Sequence, residues 1–227
     1  MFALNDIIDC PPFSIPQVDK NDLYVRALSD LTDYHYERCL PYRRLLDVMG
    51  FNSGKIKDVE DIPFIPVRLF KEYELLSTER SQIIKIMMSS GTTGQRPSKI
   101  FLDRDTSANQ TKVLTKLLSS FIGKKRLPML VIDTKTVIKG RNLFSARGAG
   151  ILGFSMFGYD VTYALDERMQ IDIPLIQAFI EKHRDEPILL FGFTFIIWEH
   201  FCSALKKAGV KLALDKGILI HGGGWKK

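Results

Sequence analysis

Apolar residues in the first sixty positions recur at helical spacing. Leu23, Ala27, Leu31 and Tyr34 fall on one face, with acids and Arg26 between them, which predicts a helix N-capped by Asn21 or Asp22. Pro41 fits the first turn of a helix and not its interior, so a second helix is expected over Tyr42–Met49, closed by Gly50. Pro63 and Pro66 then forbid regular helix and predict an extended linker around Asp61-Ile62-Pro63-Phe64-Ile65-Pro66.

From residue 82 the pattern changes to short apolar runs alternating with helical stripes. Ile83–Met88 reads as a strand, Ser89–Ser98 as a Ser/Thr/Gly loop and Lys99–Asp103 as the returning strand. Asp105 is the expected cap of a helix striped by Val113, Leu114, Leu117, Leu118 and Phe121 and ended by Gly123. Met129–Ile132 carries no charge and predicts a strand buried on both faces. Further strands are expected at Asp160–Tyr163, Ile188–Phe191 and Ile218–Ile220, and helices at Ile173–His183 and along Ile197, Phe201, Leu205 and Ala208. The Gly- and Phe-rich residues 140–158 fit neither period. Strands alternating with helices imply βαβ units. The expected class is therefore α/β, with a helical N-terminal region (residues 1–60) followed by an α/β core with a mostly parallel sheet (residues 61–227).

Composition narrows the function classes. With 45% hydrophobic and 26% charged residues among 227, the chain is expected to fold into one large domain or two small ones. Cys10, Cys39 and Cys202 are far apart, form no CxxC pair and accompany only four histidines. That pattern predicts no metal site and no disulfide framework, and points to the reducing cytoplasm. No run approaches the ~18 apolar residues of a membrane helix, so no membrane span is expected. The net charge of +6 is spread along the chain rather than gathered into a basic stripe with aromatics. Nucleic acid is therefore not the expected partner, whereas an anionic small ligand such as a nucleotide would suit the charge.

The sharpest chemistry lies in Ser89-Ser90-Gly91-Thr92-Thr93-Gly94, followed by Arg96, Pro97 and Lys99. Four hydroxyls surround two glycines, whose missing Cβ atoms let backbone N–H groups converge on an anion. That is the physics of a phosphate cradle. It is neither a Walker loop nor GxGxxG, since Gly91 and Gly94 stand two residues apart and no Gly-Lys follows. An exposed hairpin turn uses the same residue types. A second glycine turn, Gly222-Gly223-Gly224, follows the last strand, with Trp225 behind it and His221 before it.

The Ser-Ser-Gly-Thr-Thr-Gly run with its Pro and Lys resembles the phosphate loop of the adenylate-forming enzymes, a superfamily that includes acyl-CoA synthetases, peptide-synthetase adenylation domains and firefly luciferase. In the common form one residue precedes the Pro and the Lys follows directly. Here Gln95 and Arg96 precede Pro97, and Ser98 intervenes before Lys99. The Asp61–Pro66 segment with Phe70-Lys71, and the closing Gly222-Gly223-Gly224-Trp225-Lys226-Lys227, resemble the LuxE-type acyl-protein synthetases. Ile188–Leu205 has the matching strand-Gly-aromatic-helix texture, so the resemblance covers most of residues 60–227.

The resemblance implies ATP-dependent activation of a carboxylic, in this family fatty, acid as acyl-adenylate, with Mg2+, followed by transfer to a thiol. It implies a nucleotide site at Ser89, Ser90, Gly91, Thr92, Thr93, Gly94, Lys99, Gly222, Gly223, Gly224 and Trp225. Phe144, Gly148, Gly150 and Phe154 are similar to the acyl-pocket segment of the phenylacetate-CoA ligase branch, although plain core packing would use the same residues. An acyl-protein reductase is the implied partner. The acceptor cysteine and a mobile C-terminal domain are expected beyond Lys227, which makes this chain an N-terminal part, inactive alone. A CoA ligase for an aryl or short acid is the alternative within enzymes; a non-catalytic nucleotide- or partner-binding module is the alternative outside them. Cys202, beside an apolar helix face, is expected to be buried and inert.

Overall fold

The computed structural model describes residues 4–88, 96–138 and 146–224. Two compact units divide the chain, Met1–Phe121 and Ile122–Lys227. The division expected between residues 60 and 61 falls inside the first of them.

The first unit is mainly helical. It contains α1 (Leu4–Ile8), α2 (Gln17–Arg38), α3 (Leu40–Val48) and α4 (Leu69–Glu72), with short 3-10 turns between α3 and α4. The helix expected to be capped by Asn21 or Asp22 begins earlier, with Pro16 as its extended N-cap, and Asn21 instead donates to Asp58 at 2.9 Å. Pro41 does occupy the first turn of α3, and Gly50 follows it at φ +70°. Strands β1 (Lys85–Met88) and β2 (Lys99–Leu102) pair antiparallel, Met88 opposite Lys99. The segment carrying the hydroxyl–glycine run therefore joins two antiparallel strands rather than a parallel strand to a helix. α5 (Arg104–Ile122) follows directly. Its cap is Asp103, whose carboxylate accepts from the Thr106 amide at 2.8 Å, and not Asp105 as expected. That bond holds the Asp103 carboxyl below its ordinary range.

The second unit is a parallel α/β sandwich built on β3 (Leu127–Thr134). After it come α6 (Ala146–Ser155), β4 (Gly158–Leu165), α7 (Ile173–Lys182) and β5 (Ile188–Phe193). The short helices α8 (Thr194–Ile196) and α9 (Ser203–Ala208) are joined by a π-helical turn over Ile197–Cys202, and β6 (Gly217–Gly222) ends the sheet. The strand order is β4-β3-β5-β6, all pairs parallel. Every residue of β3 is buried, as a central strand covered on both faces requires. Leu130, Ile132, Ile188 and Leu190 pack with Ile176, Phe179 and Ile180 of α7 and with Ile197 and Phe201. On the opposite face α6 meets Phe191 through Phe154. The unassigned Gly/Phe segment is thus helical from Ala146. At the start of β4, Gly158 lies so close to β3 that a Cβ there would sit 2.6 Å from that of Met129.

A charged cluster ties β4 to α7. Asp160, at φ +46°, accepts from Lys182 and meets His183 Nε2, both at 2.8 Å. The buried His183 also meets Glu186 through Nδ1 at 2.8 Å, and the Tyr159 hydroxyl donates to Glu186 at 2.6 Å. Lys182 first and His183 second hold the Asp160 carboxyl below its ordinary range. Tyr159 and then His183 do the same for Glu186, and the Tyr159 hydroxyl is in turn pushed up to about 12. A carboxyl with a depressed folded-state pKa stabilises the fold above its unfolded value and loses that contribution as pH falls through the folded one. Thermal stability is therefore expected to fall on acidification below the ordinary values of 4.5 and 3.8. The fall should be shallower in Asp160→Asn/Glu186→Gln. Melting curves by circular dichroism at a series of acidic pH values check this; equal slopes would assign the acid sensitivity elsewhere.

Candidate functional site

The sheet order places a reversal between β3 and β5. From β3 the chain moves to one side, to β4; from β5 it moves to the other, to β6. Right-handed crossovers that travel in opposite directions put their helices on opposite faces, which is where α6 and the Thr194–Ala208 helices lie. At such a reversal the loops leaving the carboxyl ends of the two strands diverge as a rule and leave a crevice. In open parallel sheets this is where ligands bind.

Asp133, the penultimate residue of β3, stands at that crevice. Its carboxylate is fully buried and receives two hydrogen bonds from Arg147 at the start of α6, Nε to Oδ2 at 3.0 Å and Nη2 to Oδ1 at 2.5 Å. The amide of Thr134 donates to the same carboxylate at 2.7 Å. A charge ending an otherwise apolar buried strand needs such partners, because desolvation alone would cost several kcal/mol. Burial, and then the Asp133 charge, push the nearby Tyr163 hydroxyl up. The pair fixes the first turn of α6 to the end of β3 and holds a guanidinium, 35% exposed, at the strand ends.

Aromatic rings line the neighbouring position on β5. Phe154 of α6 stacks on Phe191 with ring centroids 4.2 Å apart, and Phe193 meets Phe191 edge-on at 6.1 Å. Gly150, one turn before Phe154, lets the helix approach; a Cβ there would lie 3.3 Å from the Phe193 ring. On its other side the same ring faces Gly223, where a Cβ would lie 3.2 Å away and φ is +77°. Both the backbone conformation and the space call for glycine at 223. The hydroxyl of Thr194 pins this turn: its oxygen lies 3.1 Å from the Gly222 carbonyl, 2.9 Å from that of Gly223 and 3.0 Å from His221 Nδ1. One hydroxyl proton serves the carbonyls, and the oxygen can accept from Nδ1–H of His221 in that tautomer.

Phe193 thus joins two groups that the sequence treats separately, Gly150 and Phe154 on α6 and Gly222–Gly224 after β6. Gly148 is buried in α6. Lys99 opens β2 with an exposed side chain. Ser89, Ser90, Gly91, Thr92, Thr93, Gly94, Phe144 and Trp225 lie outside the described residues. Asp133, Arg147, Phe193 and Thr194 are absent from the sequence reading. Cys202 is exposed, contrary to expectation, because at helical spacing it falls with the exposed Trp198, off the buried face held by Ile197 and Phe201; Cys39 is buried. Among the described residues no group of His, Cys, Asp and Glu could hold a metal ion, and no helix is long and apolar enough to cross a membrane.

The family model described as acyl-protein synthetase, LuxE, matches residues 3–227. The chain belongs to the LuxE acyl-protein synthetase family. Among curated relatives, a phenylacetate-coenzyme A ligase from Thermus thermophilus is 33% identical over 88 residues, 36% of this chain and 20% of the relative. A long-chain-fatty-acid–luciferin-component ligase from Photorhabdus luminescens is 26% identical over 98 residues, 43% of this chain and 83% of that protein. The chain thus matches about a fifth of the first relative's length. Solved structures of 2-hydroxyisobutyryl-CoA ligase share the fold. One, in complex with 2-HIB-AMP and CoA, has a TM-score of 0.56 at 16% identity and covers 87% of this chain and 42% of that one. Another, in complex with R3-HIB-AMP, has a TM-score of 0.57 at 12% identity, covering 88% and 44%. The α/β class expected from the sequence, that of an adenylate-forming enzyme, is the observed one.

Proposed function

We propose that the protein activates a carboxylic acid, in this family a fatty acid, with ATP as an acyl-adenylate and passes the acyl group to a thiol. The LuxE family match over residues 3–227 carries this reading. The geometry of the second unit supports it. Gly222 and Gly224 have open space where a Cβ would stand, so the turn offers bare backbone to a planar base, beside the Phe193 ring that Gly223 touches. The donor set for the phosphates is the hydroxyls and amides of Ser89–Gly94, with Lys99 following. Phe144, Gly148, Gly150 and Phe154 are the assigned acyl segment, and Trp225 the edge of the base site.

Mg2+ carried on ATP would screen the phosphate charge. The acid attacks the α-phosphorus as its carboxylate; the new C–O–P linkage forms as pyrophosphate leaves with the bonding pair. The nucleophile is already an anion, so no side chain need remove a proton. What the chain must supply is positioning and donors aimed at the oxygens of the leaving pyrophosphate. Acyl transfer to a thiolate then releases AMP. The reading extends to the cytoplasm as location, to a reductase that takes up the acyl group, and to residues 1–60 and 61–227 as functional divisions. Coenzyme A as the acceptor is the second reading, favoured by the resemblance of the Phe154 segment and the 33% identity to a phenylacetate-coenzyme A ligase.

Acid-dependent exchange of labelled pyrophosphate into ATP by the complete enzyme, with the expected C-terminal part present, tests the first step; its absence with every straight-chain and aryl acid tried would overturn the reading. Cys202 is exposed yet assigned no part in the transfer. In the complete enzyme, whose acceptor cysteine is expected beyond Lys227, Cys202→Ser is therefore expected to leave covalent labelling by a radioactive acid unchanged. Loss of label in a folded Cys202→Ser protein would make it the acceptor.

A further inference from the structure

The first unit contains an apolar groove that the acyl-activation reading does not use. It runs between α1, the segment after it, the start of α2 and the middle of α5, with a volume of about 400 Å³. Ile8, Phe13, Leu23, Tyr24, Val113 and Leu117 form its walls. A cavity of about 300–1,000 Å³ is the size range of small-ligand sites. Two lysines, Lys20 and Lys116, also line it.

The charges are unevenly matched. Asp9, next to the groove, is engaged by Lys112 at 2.8 Å, and that bond holds its carboxyl below the ordinary range, so it stays ionised and paired. Lys116 donates to the carbonyl of Ile8 at 2.7 Å and its charge also acts on Asp9, so that one carboxylate faces two lysines, Lys112 and Lys116. Lys20 has no ion pair among the described residues. The polar groups that could read a peptide are few and already engaged: the Cys10 thiol donates to the Asp6 carbonyl at 3.1 Å. With one carboxylate set against Lys112 and Lys116, and Lys20 beside them, the trough carries excess positive charge, which fits a hydrocarbon chain with an anionic head.

Phe13 adds a second observation. It holds φ +63°, a conformation that costs a bulky residue on the order of 1–3 kcal/mol, and its ring is 75% exposed. The ring stands edge-on to that of Phe121, with centroids 5.9 Å apart. Strain that places an aromatic ring in water at the edge of an apolar trough is explained if a ligand covers the ring.

We propose that this groove binds a straight-chain alkanoate. The chain lies along Ile8, Leu23, Val113 and Leu117 under the Phe13 ring, and the carboxylate lies at Lys20 and Lys116. The site goes beyond the acyl-activation reading and shares no residue with it.

Calorimetric titration of the intact protein with dodecanoate, kept below its micellar concentration and without ATP, tests the site. Saturable one-to-one binding is expected, weakening as salt is added. Val113→Trp, which fills the trough from an exposed helix face, is expected to weaken it by about tenfold or more, the scale of excluding a few buried methylenes. Lys20→Glu should weaken dodecanoate about fivefold, the upper range for a partly exposed pair, and leave dodecanol unchanged. Absence of saturable binding overturns the proposal. Equal binding by both variants, with circular dichroism showing them folded, also overturns it, as does dodecyltrimethylammonium binding as tightly as dodecanoate. Binding lost in Phe154→Ala and kept in Val113→Trp would overturn this site while supporting an acyl pocket in the second unit. Because no ATP is present, a protein that exchanges no pyrophosphate can still pass or fail this test.

Discussion

Replacing Arg147 by methionine is expected to destabilise the Ile122–Lys227 unit by about 3 kcal/mol, the lower end of the range for breaking a buried ion pair. The lower end applies because Arg147 is 35% exposed and water screens part of the interaction, while Asp133 has no exposure at all. Methionine keeps the length of the side chain and removes the two donors. It leaves a carboxylate at the end of β3 with the Thr134 amide as its remaining described partner. The exposed pair Arg184–Glu181, at 67% and 72% exposure, should by contrast contribute about 0–1 kcal/mol or less. For a unit of this size each kcal/mol corresponds to about 4–8 °C, so Arg147→Met should melt at least about 12 °C below the wild type. Adding Asp133→Asn removes the stranded charge and keeps an acceptor for Thr134, so the double variant should recover much of the loss. Thermal melts of the four proteins in the cycle decide it. A single variant that melts with the wild type would show that Asp133 does not need the guanidinium.

The elements that were legible are those whose burial follows one period. β3 is buried along its whole length and reads as an uncharged run up to Ile132; α5 and α7 bury one stripe, and Gly123 at φ +82° stops α5. α6 was illegible for a physical reason. Gly148, Gly150 and Gly153 lower its helix propensity, and the helix is held by what it packs on, with Gly150 against Phe193 and Phe154 against Phe191. Caps shifted by a few residues because the decisive bond depends on which backbone amide is orphaned: Asp103 reaches Thr106, and Asp105 stands a residue inside the helix.

Strand neighbours were illegible altogether. Nothing local to β3 says that β5, reached only after β4 and α7, will pair beside it, and the crevice exists only because of that pairing. Phe193 ends β5 and Thr194 follows it, both ordinary residues by sequence; their roles come from β6 arriving alongside and placing Gly223 on the ring and two carbonyls on the hydroxyl. Asp133 did leave a trace. A lone acid closing an apolar run demands a buried partner, though not which of 32 basic residues supplies it. Gly223 was legible as a turn residue because its φ of +77° is a local property of the residue itself.

The hydroxyl–glycine run is where local chemistry makes its strongest claim, and Thr92→Ala/Thr93→Ala in the complete enzyme is expected to have the largest effect on activity. If the two hydroxyls donate to phosphate oxygens, each lost bond to a charged group is worth about 1.5–3 kcal/mol, so the pair should reduce acid-dependent ATP–pyrophosphate exchange by roughly 10²–10⁴-fold. Ser89 and Ser90 would remain, along with the backbone amides, so exchange should fall without vanishing. A structural role predicts a different pattern. Losing two threonines from a hairpin turn would lower the melting temperature and leave exchange per folded molecule untouched. Thr92→Ser/Thr93→Ser separates the cases further, since it deletes the methyl groups and keeps the hydroxyls. Most of the exchange should survive in that variant if hydrogen bonding is what matters. Exchange rates measured at saturating ATP and again well below saturation would show where the bonds act. Loss confined to low ATP means they hold the ground-state nucleotide, whereas loss at both means that they strengthen as pyrophosphate departs. The second outcome is expected, because charge moves onto the pyrophosphate as the α-phosphorus bond breaks. Unchanged exchange in the alanine pair would remove the phosphate cradle from this loop and leave it a turn between two antiparallel strands.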